Sequence, residues 1–63
     1  MNIQQAIRTL SLGQDLGADE MREVMRTVMR GDATPAQIGA ALTALHIKGE
    51  TVEELTGAAT VMR

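Results

Sequence analysis

The sequence contains no cysteine, phenylalanine, tyrosine or tryptophan among its 63 residues. Disulfide bonds and aromatic side chains therefore cannot stabilise the fold, and methionine, alanine and branched aliphatic residues must fill the interior. A chain of this length buries only about 60% of its unfolded surface, so we expect a marginal core that gains from association or from a larger parent chain. The lack of cysteine also fits a reducing compartment, and we expect a cytoplasmic location.

Long apolar runs and a strong excess of positive charge are also missing. No segment approaches the ~20 apolar residues that span a bilayer, and the N-terminus has no signal-peptide pattern. The net charge of -2 gives no general attraction to nucleic acid or to an anionic membrane. We therefore predict a partner that is neither a membrane nor a nucleic acid.

Hydrophobic periodicity and capping residues predict four short helices, with no competing strand pattern. The predicted helices of this single domain cover residues 2–12, 18–30, 35–48 and 52–63. Gly13, Gly31 and Gly49 are expected to end the first three, because glycine readily takes the left-handed conformation that closes a helix. The last helix has no stop signal before Arg63, so we expect it to belong to a longer protein. The predicted fold is a small all-α bundle whose short connections favour antiparallel neighbours.

Capping pairs mark the helix starts, because each has a side chain that can accept from the backbone and a Gln or Glu three residues later. These pairs are Asn2 with Gln5, Thr34 with Gln37, and Thr51 with Glu54. The second helix begins instead at Gly17, with Glu20 three positions on. Leu16 and Met21 flank this start at the two positions of a hydrophobic staple.

Three of the helices carry an apolar stripe at helical spacing. The stripe of the first helix contains Ile3, Ala6, Ile7 and Leu10. The stripe of the second helix favours core packing over a binding groove, and it contains Met21, Val24, Met25, Val28 and Met29. One face of the last helix contains Val52, Leu55, Ala59 and Met62.

Helix 35–48 has two apolar faces instead of one. At about 100° per residue, one side contains Ile38, Ala41, Leu42 and Leu45, and the opposite side contains Ala36, Ala40, Thr43, Ala44 and Ile47. A chain this short can cover one of these faces with its own helices. We predict that the second face is a dimer interface, with Ile47 as its anchor and the small residues permitting close approach of another helix.

No local pattern of histidine or carboxylate residues predicts a catalytic or metal site. His46, the only histidine, has no nucleophile or further ligand at a suitable spacing, and we interpret it as a residue on the boundary between the two apolar faces. Glu50, Glu53 and Glu54 fall at a helix start, where negative charge is favoured by the helix dipole. A structural role is therefore preferred over an acid–base pair or a cation site.

A row of arginines at positions i, i+4 and i+8 could bind phosphates. It consists of Arg22, Arg26 and Arg30. Asp19 and Glu23 are interleaved with this row, which is typical of a solvated helix face. We therefore predict no catalytic, cofactor-binding or metal-binding residue in the chain.

The run MRGDATPAQIGAALTALHIKGETVEELTGAATVMR, residues 29–63, closely resembles the N-terminal helical segment of the anthranilate phosphoribosyltransferase family. TPAQIGA, KGET and the final GAA-VMR pattern carry the resemblance, which continues more weakly through the first two helices. His46 stands where the family usually has arginine, and Gly17 stands where a serine or threonine cap is common.

The resemblance implies a parent enzyme of tryptophan biosynthesis that transfers phosphoribose from phosphoribosyl pyrophosphate to anthranilate with magnesium. In that family the helical domain mediates homodimerisation, precedes a large α/β catalytic domain, and is completed by helices from later in the chain. The family's catalytic motifs lie beyond these residues. The implied partners are thus a second copy and the α/β domain, and the isolated segment is expected to be inactive, without a cofactor of its own.

Two alternatives remain open. Pyrimidine nucleoside phosphorylases share the helical-plus-α/β plan, so the parent could be a phosphorylase, although TPAQIGA with KGET favours the anthranilate enzyme. The chain could also be a stand-alone helical module that binds a partner, or that binds nucleic acid through the arginine row. The acidic charge balance argues against nucleic acid.

Overall fold

The computed structural model describes residues 1–62, and all regular secondary structure in that range is helical. Its helices are α1 (Ile3–Ser11), α2 (Ala18–Met29), α3 (Pro35–Lys48) and α4 (Val52–Met62). The predicted all-α class is confirmed. The observed helix ends fall within one residue of the predicted ends, and the last predicted helical residue, Arg63, lies outside the described residues.

Local hydrogen bonds fix the starts of α1 and α3. Asn2 Oδ1 accepts from the Gln5 N–H at 2.8 Å, and Gln5 Oε1 accepts in return from the Asn2 N–H at 3.0 Å. Thr34 and Gln37 form the same reciprocal pair, with distances of 3.0 and 3.1 Å. Each pair satisfies backbone donors that have no partner inside the helix, which explains why these two starts lie where the sequence predicts them.

The start of α2 uses a glycine and a buried leucine. The Gly17 N–H donates to Glu20 Oε1 at 2.9 Å, so the glutamate supplies half of a capping box. Leu16 and Met21, the predicted staple, are both buried in the same core cluster. Their packing brings the loop between α1 and α2 onto the core.

The predicted helix-ending glycines are confirmed. Gly13, Gly31 and Gly49 have positive φ angles of 78°, 78° and 89°. At Gly49 the backbone N–H donates to the Leu45 carbonyl oxygen at 2.8 Å. A side chain with a Cβ would be strained in this conformation, so glycine is required for the sharp turn into α4.

The helices pack in alternating pairs. Helix α2 lies along α4 and α1 lies along α3, with a smaller contact between α1 and α2. The backbones of α2 and α3, and those of α3 and α4, approach each other far less closely. Short connections favour antiparallel consecutive helices, but the closest pairs in the described chain are alternate helices, because their faces are complementary.

A small aliphatic core joins the two helix pairs. Its buried cluster consists of Ala6, Leu10, Leu16, Met21, Val24 and Leu45. Met25, Ala44 and Ala58 are half-buried against it. Part of the predicted methionine stripe thus enters the core, whereas Met29 at its end is 63% exposed.

The buried face of α4 is not its most apolar face. All four members of the apolar set found in the sequence are exposed, namely Val52, Leu55, Ala59 and Met62. The buried residues of α4 are Glu54 and Gly57, and Gly57 faces α2. A Cβ at Gly57 would clash with the Ala18 carbonyl oxygen and would lie 3.0 Å from Met21 Cβ. The absent side chain therefore decides which face of α4 can approach α2.

Candidate association surface

Helix α3 is covered on one side only. Ala41 and Leu45 are buried, and Ile38 beside them is half-buried. Leu42 belongs to the same predicted face but is exposed. It lines an apolar cleft of about 130 Å³ between α2 and α3 together with Met25, among others. The inward face of α3 is therefore not fully covered by the described chain.

The predicted interface residues lie on the opposite side of α3. Ile47 is 79% exposed, the largest exposed fraction among the large hydrophobic residues of the described chain. Ala36, Ala40 and Thr43 are also exposed. Ala44 differs, because it is half-buried and packs against the core cluster. It lies at the edge of the outer face rather than on it.

A mostly apolar groove runs along this outer face. It has a volume of about 420 Å³, and the end of α1 forms one wall with Leu10, Ser11 and Gly13. The α3 wall contains four of the five predicted interface residues, Ala40, Thr43, Ala44 and Ile47, together with Gly39 and Lys48. Ala36 does not line the groove. The α1 wall and Gly39 were not among the predicted residues of this face. Gly39 is recognisable in the sequence only as a glycine in a helix interior, away from both caps.

A buried ionic network lies at the C-terminal end of α3. Glu54 of α4 is 1% exposed. Its Oε2 atom accepts from the Leu16 N–H at 2.8 Å, while Oε1 accepts from the Thr51 N–H at 2.9 Å and from Lys48 Nζ at 2.8 Å. The carboxylate thus connects the loop between α1 and α2 to the end of α3 and to the start of α4.

The Lys48 ammonium group donates all of its hydrogen bonds within this network. Besides Glu54, Nζ donates to Asp15 Oδ1 at 2.9 Å and to the Gly49 carbonyl oxygen at 2.8 Å. An ammonium group has three donors, and all three are matched here. The side chain of Lys48 is only 5% exposed although its charge is retained. We name the set Asp15, Lys48 and Glu54 the KDE network.

In the KDE network the pKa of Glu54 is lowered and the pKa of Lys48 is raised. Burial by itself raises the pKa of Glu54, but the hydrogen bonds from the Leu16 N–H, Lys48 and the Thr51 N–H outweigh it, and the pKa is lowered. The hydrogen bond to Glu54 raises the pKa of Lys48 against the opposing effect of desolvation, with Asp15 adding to the rise. Both groups are therefore ionised at neutral pH, and the network is a closed ion cluster.

The KDE network explains the KGET segment in physical terms. Lys48 closes the network, Gly49 provides the left-handed turn, and Thr51 caps α4 by accepting from the Glu54 N–H at 3.1 Å through its hydroxyl. The predicted capping role of Glu54 is confirmed by its bond to the Thr51 N–H. Its burial and its bonds to Lys48 and Leu16 were not predicted, because they depend on residues distant in sequence.

Two arginines of the predicted row lie beside carboxylates. Arg22 pairs with Asp19 one turn earlier. Arg30 Nε lies 3.2 Å from Asp32 Oδ2. The N-terminal ammonium lies 2.6 Å from Glu23 Oε2, and this contact lowers the pKa of Glu23. Two of the three arginines thus have an acidic neighbour, which favours a solvated helix face over a phosphate-binding row.

The remaining polar candidates form no reactive cluster. His46, Glu50 and Glu53 are all exposed. Within residues 1–62 no group of three or more histidine, cysteine or acidic residues could hold a metal ion. Both oxygens of the Glu54 carboxylate already accept hydrogen bonds from donors of the chain itself.

No helix in the described part of the chain is both long and apolar enough to cross a membrane. Alternating helix pairs around a small aliphatic core, with an open apolar face on α3, define a helical bundle domain. The chain belongs to the glycosyl transferase family, as its helical bundle domain, with residues 4–63 matching that domain.

Similar proteins agree with this assignment. The anthranilate phosphoribosyltransferase of Teredinibacter turnerae is 60% identical over 63 residues, which is 100% of this chain and 18% of that protein. The enzyme of Cellvibrio japonicus is 59% identical over the same shares. That of Syntrophotalea carbinolica is 61% identical over 61 residues, or 97% of this chain and 17% of that protein. The chain therefore spans less than a fifth of these relatives, in their N-terminal part, as the resemblance predicted.

Proposed function

We propose that this chain serves as the helical association domain of an anthranilate phosphoribosyltransferase. The supporting observation is the identity of about 60% over the whole chain with proteins of that name. The parent enzyme would transfer phosphoribose from phosphoribosyl pyrophosphate to anthranilate in tryptophan biosynthesis, in the cytoplasm and with magnesium. The chain itself would supply packing surfaces and no catalytic group. The similarity favours this parent over a pyrimidine nucleoside phosphorylase.

In this proposal the exposed apolar surfaces have two separate roles. The outer face of α3 would join two copies of the chain through Ala36, Ala40, Thr43, Ala44 and Ile47. The exposed side of α4, where Leu55 is 58% exposed, and the cleft between α2 and α3 would contact the remainder of the parent enzyme. Exposed apolar side chains of this kind are unfavourable in an isolated domain and favourable when a partner covers them.

A chimaeric enzyme tests the parent assignment. Residues 1–63 would replace the matching N-terminal segment of the Teredinibacter turnerae enzyme, and consumption of anthranilate with phosphoribosyl pyrophosphate would be measured. We expect activity of the same order as that of the unmodified enzyme. The enzyme without any N-terminal segment is the control. A folded chimaera without activity would contradict the proposal.

Substitution of Ile47 tests the association surface in the isolated chain. We expect light scattering across a dilution series to show a dimer that dissociates on dilution, and Ile47→Glu to leave only monomer. Placing a carboxylate where an isoleucine was buried removes about 1.5–3 kcal/mol of apolar burial on each side.

Met29→Glu is the matched control, because Met29 is also well exposed but lies on α2. It should leave the dilution curve unchanged. A dimer that persists in Ile47→Glu would place association on another surface.

A further inference from the structure

We propose that α4 is a detachable helix, which releases from α2 by turning about Gly49 while α1, α2 and α3 keep their packing. Two features of α4 occur together. Its apolar side faces outward, and the aliphatic core that it lies against contains none of its buried residues. This movement goes beyond the association role proposed above and does not depend on it.

The buried aliphatic cluster is complete without α4. All of its members come from α1, the loop before α2, α2 and α3. Among the described residues of α4, Ala58 alone packs against the cluster, and it is half-buried. The buried residues of α4 are Glu54 and Gly57, and neither has an apolar side chain. Burial of apolar surface is the dominant favourable contribution to folding, so we expect most of it to remain when α4 is released.

The outward side of α4 gains little from docking on α2. Its larger apolar residues, Val52, Leu55 and Met62, each remain more than half exposed. The helix has 11 residues, and an isolated helix shorter than about 12–15 residues is marginal in water. Gly57 and four β-branched residues lower its intrinsic helix propensity further. The β-branched residues are Val52, Thr56, Thr60 and Val61. Release therefore unfolds α4 and frees its backbone N–H groups.

The specific attachments of α4 lie in its first two turns. Glu54 accepts hydrogen bonds from the backbone of the loop before α2 and from Lys48 Nζ, each at 2.8 Å. One turn later, Gly57 admits the backbone of α2. Gly49, in the left-handed conformation just before α4, is the pivot, because glycine has access to more backbone conformations than other residues. We therefore expect Glu54 to control the release of α4.

Native-state hydrogen exchange, measured by NMR on the whole chain where it is monomeric, reports the opening of each helix separately. We expect the protection factors of the α4 amides to be at least about tenfold lower than those of the most protected amides in α2 and α3. Release of α4 exposes less surface than global unfolding, so low concentrations of urea should accelerate exchange less steeply in α4. Equal protection and equal urea dependence in the three helices would overturn the proposal.

Ile3→Val separates the release of α4 from global unfolding. Ile3 is buried on α1, which packs along α3, and its contacts persist when α4 is released. Loss of a buried methylene group should accelerate exchange of the most protected amides of α1, α2 and α3 by about 2–12-fold. Exchange in α4 should not change. Acceleration of α4 by the same factor would show that α4 opens only by global unfolding.

Glu54→Gln tests the attachment itself. The charged hydrogen bonds of Glu54 exist only while α4 is docked, so this variant should accelerate exchange in α4 by about 10–100-fold. Glu53→Gln is the matched control, because Glu53 is exposed in the same helical turn. Unchanged exchange in α4 of Glu54→Gln would overturn the role of Glu54. The measurements on the unmodified chain and on Ile3→Val decide the proposal even where Glu54→Gln does not fold.

Discussion

Gly57 and Gly39 are both helical glycines, but their surroundings differ. Gly57 faces the Ala18 carbonyl oxygen and Met21 at distances that leave no room for a methyl group, whereas Gly39 faces open space. The same substitution should therefore have opposite effects on the free energy of unfolding at the two positions. This contrast separates the intrinsic helix propensity of alanine from the packing of α2 against α4.

We expect Gly57→Ala to lower the free energy of unfolding by about 1–3 kcal/mol, because overpacking outweighs the better helix propensity of alanine. Gly39→Ala should raise it by about 0.5–1 kcal/mol, since only the propensity changes. Urea unfolding at a concentration where the chain is monomeric measures both values. An increase in the free energy of unfolding for both variants would show that movement of α4 relieves the clash at Gly57.

Single residues also show what the sequence could and could not predict. The capping role of Glu54 follows from its three-residue spacing to Thr51, which is a local relation. Its hydrogen bond from the Leu16 N–H spans 38 positions, and no local pattern contains it. The same limit applies to Gly39. The effect of a glycine in a helix interior depends on the group that packs opposite it, and the local sequence does not specify that group.

At the scale of whole helices, the ends were predictable and the buried faces were not always so. Caps and left-handed glycines are local, and they place the ends of the described helices within one residue of the predicted ends. Periodicity correctly identified one buried side of α3, where Ala41 and Leu45 enter the core. On α4 it placed the larger apolar side chains on one face, as observed, but that face points outward.

The exposure of the apolar face of α4 has a physical reason. Periodicity assumes that the face with the most apolar surface is the buried one. On α4 the close approach at Gly57 fixes the opposite face against α2, and the hydrogen bonds of Glu54 connect the same face to the loop before α2 and to the end of α3. Complementary faces also determine the pairing of α1 with α3 and of α2 with α4. Loop length does not specify which faces are complementary.

The outer face of α3 was predicted from the same periodicity, and its openness in the structure is consistent with that prediction. Four of its five residues line one groove. The contribution of α1 to the groove could not be predicted, because it requires the packing of α1 on α3.

For the molecule as a whole, the KDE network links the two helix pairs at one end. Asp15 and Leu16 belong to the loop before α2, Lys48 ends α3, and Glu54 lies on α4. A domain of this size has a free energy of unfolding on the order of 3–9 kcal/mol. Loss of one buried, charged hydrogen-bond partner at about 1.5–3 kcal/mol is therefore a large share of the total.

The network predicts how stability depends on pH. The pKa of Glu54 is lowered in the folded chain, so its contribution is complete above about pH 4.5, the ordinary value, and is lost as the pH falls through the lowered pKa. The pKa of Lys48 is raised, so its contribution is complete below about pH 10.5 and is lost as the pH rises through the raised pKa. We expect a plateau of stability between these limits.

Glu54→Gln isolates the acid side of this dependence. The amide keeps the shape of the side chain but carries no charge, so the plateau should fall by about 1.5–3 kcal/mol and the loss of stability below pH 4.5 should become shallower. Glu53→Gln is the control, because Glu53 is exposed in the same helical turn and should leave the profile unchanged. Urea midpoints measured from pH 3 to pH 8 would compare the three chains. Parallel profiles for Glu54→Gln and the unmodified chain would mean that the acid transition begins at other carboxylates and that the network does not hold the helix pairs together.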